Sequence, residues 1–233
     1  MNEMPATPEG PNSSNGASAV PISLTSAENG DRVAGTVVPI STELLQTTRR
    51  TWEAAFTLRS GFGIFDADRE IWTSGFLRDL EHLGSLPPGY VITVGGDVQG
   101  IVLFDALLRG NRTSSAAHVV YIQYLASAPW NRRTGGRDRR FRGAGYALLM
   151  QAVHESIRRG SPGRLAVDAF INSASFFKKY AFDCQGVDPG QPGRVYLELR
   201  PFAAFSLLTN AESATLKGIA NALEQRATGS GGK

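Results

Sequence analysis

Apolar and polar residues follow two kinds of repeat along most of this chain. Valine-rich and alternating stretches predict strands, and these are Val33 to Ile40, Tyr90 to Val94, Val98 to Phe104, His118 to Ser127, Leu165 to Ile171 and Val195 to Leu199. Apolar residues three and four positions apart predict helices over Thr42 to about Leu58, Ser74 to Leu83, Tyr146 to Ile157, Ser173 to Tyr180 and Leu216 to Leu223. This mixture of elements predicts a single α/β domain with a mixed sheet.

Turn and cap residues separate the predicted elements. Gly95 and Gly96 supply the positive φ that a tight hairpin turn needs. Ser41 and Asn172 each precede a predicted helix, and their side chains are predicted to cap it.

The two ends of the chain lack a regular pattern of this kind. Residues 1 to 31 are rich in Pro, Ser, Asn and Gly and hold no aromatic residue, so we predict a disordered tail there. The domain is predicted to cover residues 32 to 200, and residues 201 to 233 are predicted to form a C-terminal helix and tail.

Composition narrows the class of protein. Of the 233 residues, 42% are hydrophobic and 19% are charged, which excludes a fibrous or wholly disordered chain. Cys184 is the only cysteine and the three histidines are scattered, so neither a disulfide scaffold nor a metal site is expected. There is no apolar run of the roughly 20 residues that a membrane span needs, and no secretion signal. We therefore expect a cytoplasmic protein without membrane contact.

Positive charge is concentrated in one short segment. The net charge is only +3, although the pI is about 9.2. Six arginines lie close together, interrupted by one acid, and they are Arg132, Arg133, Arg137, Arg139, Arg140 and Arg142. Such a run suits nucleic acid, an acidic protein or a phosphorylated small molecule.

The end of the arginine segment predicts an anion site. Gly143 and Gly145 stand between a strand and an amphipathic helix, where they let an anion approach the backbone. The N–H groups of the first helical turn attract phosphate, and Arg140 and Arg142 add positive charge beside them. On residue types alone, an ordinary strand-to-helix turn explains the same glycines. Neither G-x-x-x-x-G-K-[ST] nor G-x-G-x-x-G is present, so the usual nucleotide loops are excluded.

This turn also carries a family resemblance. Arg140-x-x-Gly143-x-Gly145 resembles the R/Q-x-x-G-x-G/A signature of the GCN5-related N-acetyltransferases, the GNAT family. The opening Ala128-Pro-Trp-Asn-Arg132 of an enlarged loop is similar to a poorly characterised bacterial branch of that family.

Segments on both sides of the turn resemble the family in the same order. Leu125 to Pro129 is similar to the family's fourth strand and its exit, and the hairpin at Gly95 to its second and third strands. Asn172 to Phe182 resembles the pattern N-x-x-A-x-x-F-Y-x-x-x-G-F, with two residues fewer after the asparagine and Ala181 in place of the glycine. The resemblance covers about residues 32 to 200. It implies a mostly antiparallel central sheet flanked by helices.

The resemblance also implies a function, which is transfer of an acetyl group from acetyl-CoA to a primary amine of a small molecule or protein. In the family's pattern, backbone N–H groups from Phe141 to Tyr146 hold the pyrophosphate, and the strand before them pairs with the pantetheine arm and polarises the thioester carbonyl. The residues that it places on the cofactor are Leu125, Ala126, Ser127, Arg140, Phe141, Arg142, Gly143, Ala144, Gly145, Tyr146, Asn172 and Phe177. No metal is implied.

The residues that move protons in the family are only partly matched. The tyrosine that often protonates the leaving thiolate falls on Phe177, and Tyr180, three residues on, is the candidate to replace it. The family's strand glutamate is absent, and its region offers Tyr121 and Gln123, which alternation puts on the same face as Leu125.

Two acids lie within apolar strands and are candidates for the missing base. A carboxylate in such surroundings is either paired or functional, and both Asp105 and Asp168 have the alternative of capping a loop or meeting an arginine. Asp168 is the preferred candidate, because it precedes the end of the strand that the family splays open. Its predicted role is to bind the substrate ammonium or to relay its proton through water.

Two other functions remain open from the sequence. A non-catalytic acyl-CoA-binding sensor or scaffold accounts for Phe177 and for the absent glutamate. A toxin-type acetyltransferase acting on aminoacyl-tRNA accounts for the arginines, although few aromatic residues accompany them for base stacking. The enlarged arginine loop is either a solvated loop or a contact for the 3′-phosphate of CoA or for an acidic acceptor. The sequence leaves both the acceptor and the choice between monomer and homodimer open.

Overall fold

The predicted strands assemble into one sheet with helices on its two faces. The structure is a computed structural model that describes residues 19–59, 86–110, 118–132, 139–187 and 193–211. The strands are β1 (Val20–Ser26), β2 (Arg32–Pro39), β3 (Gly89–Val94), β4 (Asp97–Phe104), β5 (Arg109–Gly110), β6 (His118–Ser127), β7 (Phe141–Arg142), β8 (Leu165–Phe170), β9 (Asp183–Val187) and β10 (Arg194–Leu199). The helices are α1 (Thr42–Arg59), α2 (Ala144–Arg158), α3 (Ala174–Lys179) and α4 (residues 201–211).

The sheet is mixed and mostly antiparallel, as predicted. Its strand order is β7-β1-β2-β3-β4-β6-β8-β10-β9, with β5 paired to the early part of β6. Within the described residues only β6 and β8 run parallel. The prediction of a single α/β domain with helices flanking such a sheet is confirmed.

Two apolar clusters cover the two faces of the sheet. On one face, α2 packs Leu148, Leu149 and Val153 against alternate residues of β4 and β6, such as Val102 and Val120. On the other face, α1 buries Leu45 and Trp52 against the intervening residues of β3 and β4. The Trp52 indole N–H donates to the carbonyl of Val98 at 3.2 Å, so its polar atom is satisfied inside the core. Period-two alternation along the strands therefore decides which helix each residue meets.

The predicted tail contains a strand. Residues 1 to 31 were expected to be disordered, but Val20–Ser26 forms β1, which pairs along its length with β2 and at two positions with β7. Leu24 is buried with 1% of its surface exposed, and Ile22 packs beside it. The expectation was wrong here because Ile22 and Leu24 form a short period-two pattern within a stretch of polar composition.

Two further predictions differ at helix ends. Asn172 does not cap α3, because it lies exposed in a 3-10 turn, Ile171–Ser173, and Ser173 takes the cap position without a side-chain hydrogen bond. Ser41 does cap α1, since its hydroxyl accepts the Leu44 N–H at 3.2 Å. The helices predicted at 74–83 and 216–223 lie outside the described residues. In the described part of the chain, no helix combines the length and the apolar character of a membrane span.

Candidate active site

The parallel strands β6 and β8 form a cleft because they pair over only two residues. Val120 lies opposite Leu165 and Tyr121 opposite Ala166, after which the pairing stops. β6 continues along β4 to Ser127, so its opposite edge has no strand partner beyond Tyr121 among the described residues. A cleft that is open to solvent lies between the two separated strands.

A bulge in β6 lies at the mouth of this cleft. Tyr124 is opposite Leu103 and Ile122 is opposite Phe104, so β6 carries one extra residue, Gln123. The extra residue reverses the alternation, and Leu125 therefore shares the α2 face with Ile122. Tyr121 packs on the other face, so the prediction that Tyr121 and Leu125 share one face is wrong.

Residues from β6, β8, β10, α3 and the 3-10 turn before α3 line the cleft. They are Gln123, Tyr124, Leu125, Val167, Asp168, Ala169, Phe170, Ser173, Phe177 and Arg194. Four sequence-predicted residues are among them, namely Gln123, Leu125, Asp168 and Phe177. Asn172 is exposed and is not in this lining.

Asp168 of the cleft lining forms a buried hydrogen-bonded pair with Tyr121. The Tyr121 hydroxyl donates to Oδ2 of Asp168 at 2.6 Å, and the two residues are only 8% and 5% exposed. Burial, together with the Asp168 carboxylate, raises the pKa of Tyr121 above its usual value near 10. Tyr121 therefore stays protonated at neutral pH and acts as a donor to Asp168, not as a base.

Asp105, the other acid predicted from the sequence, has a different environment. Its carboxylate pairs with Arg109 and accepts a hydrogen bond from the side-chain amide of Gln123. The guanidinium of Arg109 in turn lies 3.8 Å from the centre of the Tyr121 ring. Of the two alternatives for Asp105, a functional carboxylate or one paired with an arginine, the structure therefore has the second.

Arg194 brings a positive charge to the same cleft. It stands directly opposite Phe170 in the β8–β10 pairing, with its guanidinium 4.4 Å from the centre of that ring. Its Nη1 donates to the backbone carbonyl of Asp168 at 3.4 Å. Sequence reasoning did not predict a role for Arg194. The arginine is visible at the start of the last strand, but only the pairing of β10 with β8 brings it to the cleft.

An aromatic cluster lies between α2 and α3. The Tyr180 ring packs 5.1 Å from Tyr146 and 5.2 Å from Phe176, while Phe177 meets Phe182. Burial raises the pKa of Tyr180, so its hydroxyl keeps its proton, but Tyr180 is not among the residues that line the cleft. The structure therefore puts Phe177 in the cleft and its predicted substitute beside it.

The N-terminus of α2 presents uncapped N–H groups next to the end of β6. Gly143 takes the cap position with a φ of +97°, which favours glycine, and makes no side-chain cap. The first helical hydrogen bond runs from the Ala147 N–H to the Gly143 carbonyl, which leaves the preceding N–H groups of the turn pointing out of the helix. A Cβ on Gly145 would lie 3.2 Å from the Phe176 ring and 3.7 Å from the Ser127 hydroxyl, so this position is closely packed.

A buried pair holds the strand that leads into this turn. Gln99 and Asn131 are 1% and 7% exposed, and the Asn131 amide donates to the Gln99 side-chain oxygen at 3.0 Å. The Asn131 oxygen accepts the backbone N–H of Phe141 at 2.9 Å, two residues before Gly143. Trp130 donates to the same Gln99 oxygen at 2.9 Å. The Trp-Asn pair of the enlarged loop therefore fixes the start of the glycine turn, a role that sequence reasoning did not assign.

The arginine segment is described only at its two ends. Arg132 donates from Nε to the Ser127 carbonyl at 2.9 Å. Arg140 lies 5.2 Å from the Trp130 ring and 3.8 Å from Asp97, and both Arg140 and Arg142 are exposed beside the glycine turn. The part of the loop at 133–138 lies outside the described residues. Among the described side chains, no cluster of three or more His, Cys, Asp or Glu residues is arranged to hold a metal ion.

Comparisons with known proteins give similarities in structure alone. No protein-family model matches the chain, and no curated protein matches it. The PaiA N-acetyltransferase of Thermoplasma acidophilum, solved in complex with coenzyme A, is 12% identical, with 70% of this chain and 98% of that one covered at a TM-score of 0.49.

Two other solved structures are also similar to this chain. A GCN5-related N-acetyltransferase of Ralstonia eutropha is 19% identical, with 68% and 97% of the two chains covered at a TM-score of 0.46. The Bacillus subtilis N-acetyltransferase YlbP, in complex with coenzyme A, is 15% identical, with 70% and 92% covered at a TM-score of 0.41. At such identities and TM-scores, the likeness does not decide what this chain does.

Proposed function

We propose that this protein is an acyl-CoA-dependent N-acyltransferase that moves an acetyl group to a primary amine. The observation that carries the proposal is that the β6–β8 opening and the uncapped N-terminus of α2 lie at the same end of β6. One gives an extended ligand a strand edge to pair with, and the other gives a phosphate a set of N–H donors. These are the two features that the GNAT resemblance of Arg140 to Gly145 implies.

The donor's phosphates are assigned to the glycine turn. The N–H groups of Ala144, Gly145 and Tyr146 lie in the first turn of α2, where the helix dipole also favours negative charge. The exposed arginines Arg140 and Arg142 shortly precede that turn in the chain and would add charge-assisted hydrogen bonds. The N-terminal end of α2 suits a phosphate, because it combines backbone N–H donors with guanidinium groups and has no side-chain cap that would compete for the donors.

The donor's acylated arm is assigned to the open edge of β6. Leu125, Ala126 and Ser127 lie on the part of β6 whose edge opposite β4 has no described strand partner, where their main-chain groups would pair with the amides of pantetheine. N–H groups of this edge would stabilise negative charge on the carbonyl oxygen during attack. A bound acetyl-CoA supplies the activated thioester.

The acceptor amine is assigned to Asp168. Its carboxylate is held in place by Tyr121, and it lines the cleft beside Leu125, so it binds the ammonium and takes the proton directly or through water. In the overall reaction the N–C bond forms, the C–S bond breaks, and thiol, amide and one proton are released. Phe177 has no proton to give, so the leaving thiolate, whose conjugate acid has a pKa near 8.5, is protonated by water. Proximity and polarisation supply the rest of the catalysis.

A non-catalytic acyl-CoA-binding module is the second candidate. The specific observation in its favour is that Phe177, and not a tyrosine, lines the cleft where the family's proton donor is expected. Binding of acetyl-CoA without consumption in the presence of amines would select this candidate over the enzyme.

Isothermal titration with acetyl-CoA tests the donor site. We expect the wild type to bind acetyl-CoA with micromolar affinity. Gly143→Glu should lower that affinity at least about 30-fold, because a carboxylate at the glycine turn repels phosphate and fills its space. Gly143→Lys is the matched control, since it carries the same backbone strain at a φ of +97° but the opposite charge. It is expected to bind at least about 10-fold more tightly than Gly143→Glu.

The control separates the charge of the side chain from its effect on folding. Far-ultraviolet circular dichroism and thermal unfolding confirm that both variants fold. Equal losses in the glutamate and lysine variants would mean that the backbone strain alone disturbs the turn. No binding by the wild type would contradict the proposal.

A further inference from the structure

The cleft contains a positive charge that the proposed reaction does not require. An N-acyltransferase needs a group for the acceptor amine, and Asp168 is assigned to that role. Arg194 lines the same cleft. A cation there repels the ammonium of an acceptor, so its presence calls for an explanation in terms of another part of that molecule.

The guanidinium of Arg194 is held in a fixed position. Its planar group lies over the Phe170 ring at 4.4 Å, and its Nη1 donates to the Asp168 carbonyl at 3.4 Å. A stacked guanidinium loses little further freedom on binding a ligand, and its fork of donors matches a carboxylate.

Arg194 also lacks an acidic partner in the described part of the chain. Other arginines around the sheet pair with carboxylates, as Arg164 does with Glu198 and Arg200 with Asp183. No described Asp or Glu side chain forms an ion pair with Arg194. Its only described acceptor is a neutral carbonyl, so its positive charge is left for an anion in the cleft.

The two charged residues are neighbours in the cleft. Arg194 contacts the backbone of Asp168 itself, and both side chains project from the face of the sheet that carries Tyr121 and Tyr196. An amino carboxylate, such as a free amino acid, carries its ammonium and its carboxylate a few ångströms apart. A polyamine or a lysine within a protein offers only the first of these groups.

We infer that the acceptor is an amino acid, with its ammonium on Asp168 and its carboxylate on Arg194. This inference rests on the proposed N-acyltransferase function and adds the acceptor class to it. The ion pair between Arg194 and the acceptor's carboxylate would favour amino acids over simple amines, because an acceptor without a carboxylate leaves the Arg194 charge unpaired.

The test compares amino acids with their own carboxamides as acceptors. Acetyl transfer is followed by thiol release with glycine against glycinamide and phenylalanine against phenylalaninamide. We expect the acid to have a kcat/KM at least about 10-fold higher than the amide. The amine of the carboxamide is less basic than that of the amino acid, so a larger fraction of it is unprotonated at neutral pH. A preference for the amino acid therefore cannot come from the amount of neutral amine.

Variants of β10 assign that preference to Arg194. Arg194→Gln is expected to raise KM for the amino acid about 10-fold or more and to remove the preference over the amide, with a smaller change in kcat. Arg194→Lys keeps the charge but loses the fork, so it restores part of the preference. Arg200→Gln is the control, because Arg200 lies exposed at the other end of β10 and pairs with Asp183 at 2.9 Å.

The outcomes distinguish the two proposals. Equal use of acid and amide, equal loss on both in Arg194→Gln, or no transfer to any amino acid by a protein that binds acetyl-CoA would overturn the acceptor assignment and leave the donor site intact. Failure of acetyl-CoA to bind in the titration described above removes the acyltransferase function itself.

Discussion

The two ends of α2 are built in opposite ways. At the C-terminal end, Glu155 is 2% exposed and accepts hydrogen bonds from Arg158, Arg159 and Tyr90. At the N-terminal end, Gly143 provides no side-chain cap, and the first-turn N–H groups lie beside two exposed arginines. At one end of this helix, the buried carboxylate has its partners within the fold. At the other end, the backbone N–H donors receive no side-chain cap.

This difference separates stability from binding. Buried polar groups with complete partners rigidify a core and are costly to disturb. Uncapped donors at the surface contribute little to stability, so they can be used by a ligand without a competitor. Substitutions at the two ends should therefore affect different measurements.

The largest effect is expected at the C-terminal end. Glu155→Ala leaves Arg159 and the Tyr90 hydroxyl without their shared acceptor, so the free energy of unfolding should fall by about 3 kcal/mol. Urea denaturation measures this fall, with the exposed neighbour His154→Ala expected within about 0.5 kcal/mol of the wild type. Acetyl-CoA affinity should be unchanged in the folded variant. A loss of under about 0.5 kcal/mol in Glu155→Ala would remove the contrast between the ends.

The stability that Glu155 contributes is expected to depend on pH. Burial alone would raise the pKa of Glu155, but hydrogen bonds from Arg158, Arg159 and Tyr90 outweigh it and lower the pKa below 4.5. The carboxylate's contribution is therefore present above pH 4.5 and is lost as the pH falls through the folded-state pKa. The difference in stability between wild type and Glu155→Ala should shrink below about pH 4.

An intermediate effect is expected from the pair that holds the glycine turn. Asn131→Ala removes the acceptor of the Phe141 N–H and the donor to Gln99, so the turn before Gly143 loses its support. We expect about a 10-fold loss of acetyl-CoA affinity and about 1–2 kcal/mol of stability. Calorimetric titration and urea denaturation measure the two, and the exposed Asn210→Ala is the control. Unchanged affinity in a destabilised Asn131→Ala would mean that the pair supports only the fold.

The smallest effect is expected at the exposed arginines. Arg142→Gln removes one solvated charge near the phosphates, and such a charge is screened by salt. Acetyl-CoA affinity should fall about 3-fold at low ionic strength and less at high salt, with no change for Arg200→Gln. A salt-independent loss would mean that Arg142 acts through packing instead of charge.

Local features of the site were predictable from the sequence, whereas its pairings were not. The Gly143 turn, α2 and β6 all follow from residue types and short-range repeats. The bulge at Gln123 does not, because it depends on the register between β6 and β4, and it moved Tyr121 to the face opposite Leu125. Asp168 was a candidate from its acidity in an apolar strand.

Long-range contacts account for the other omissions. Arg194 lies 26 positions after Asp168 and meets it only through strand pairing. Asn131 reaches Gln99, 32 residues away, for the same reason. β1 was missed because its period-two pattern is short and lies within polar composition, and its pairing with β2 and β7 is not visible in the local sequence.

Backbone amide chemical shifts test the difference between the ends of α2 most directly. Acetyl-CoA titrated into the isotopically labelled protein should shift the amide resonances of Ala144, Gly145 and Tyr146 and those of residues 122–127. Resonances of residues 153–158, at the other end of the same helix, should remain in place. Shifts confined to other regions, or no shifts at all, would contradict the assignment of this site to an acyl-CoA donor.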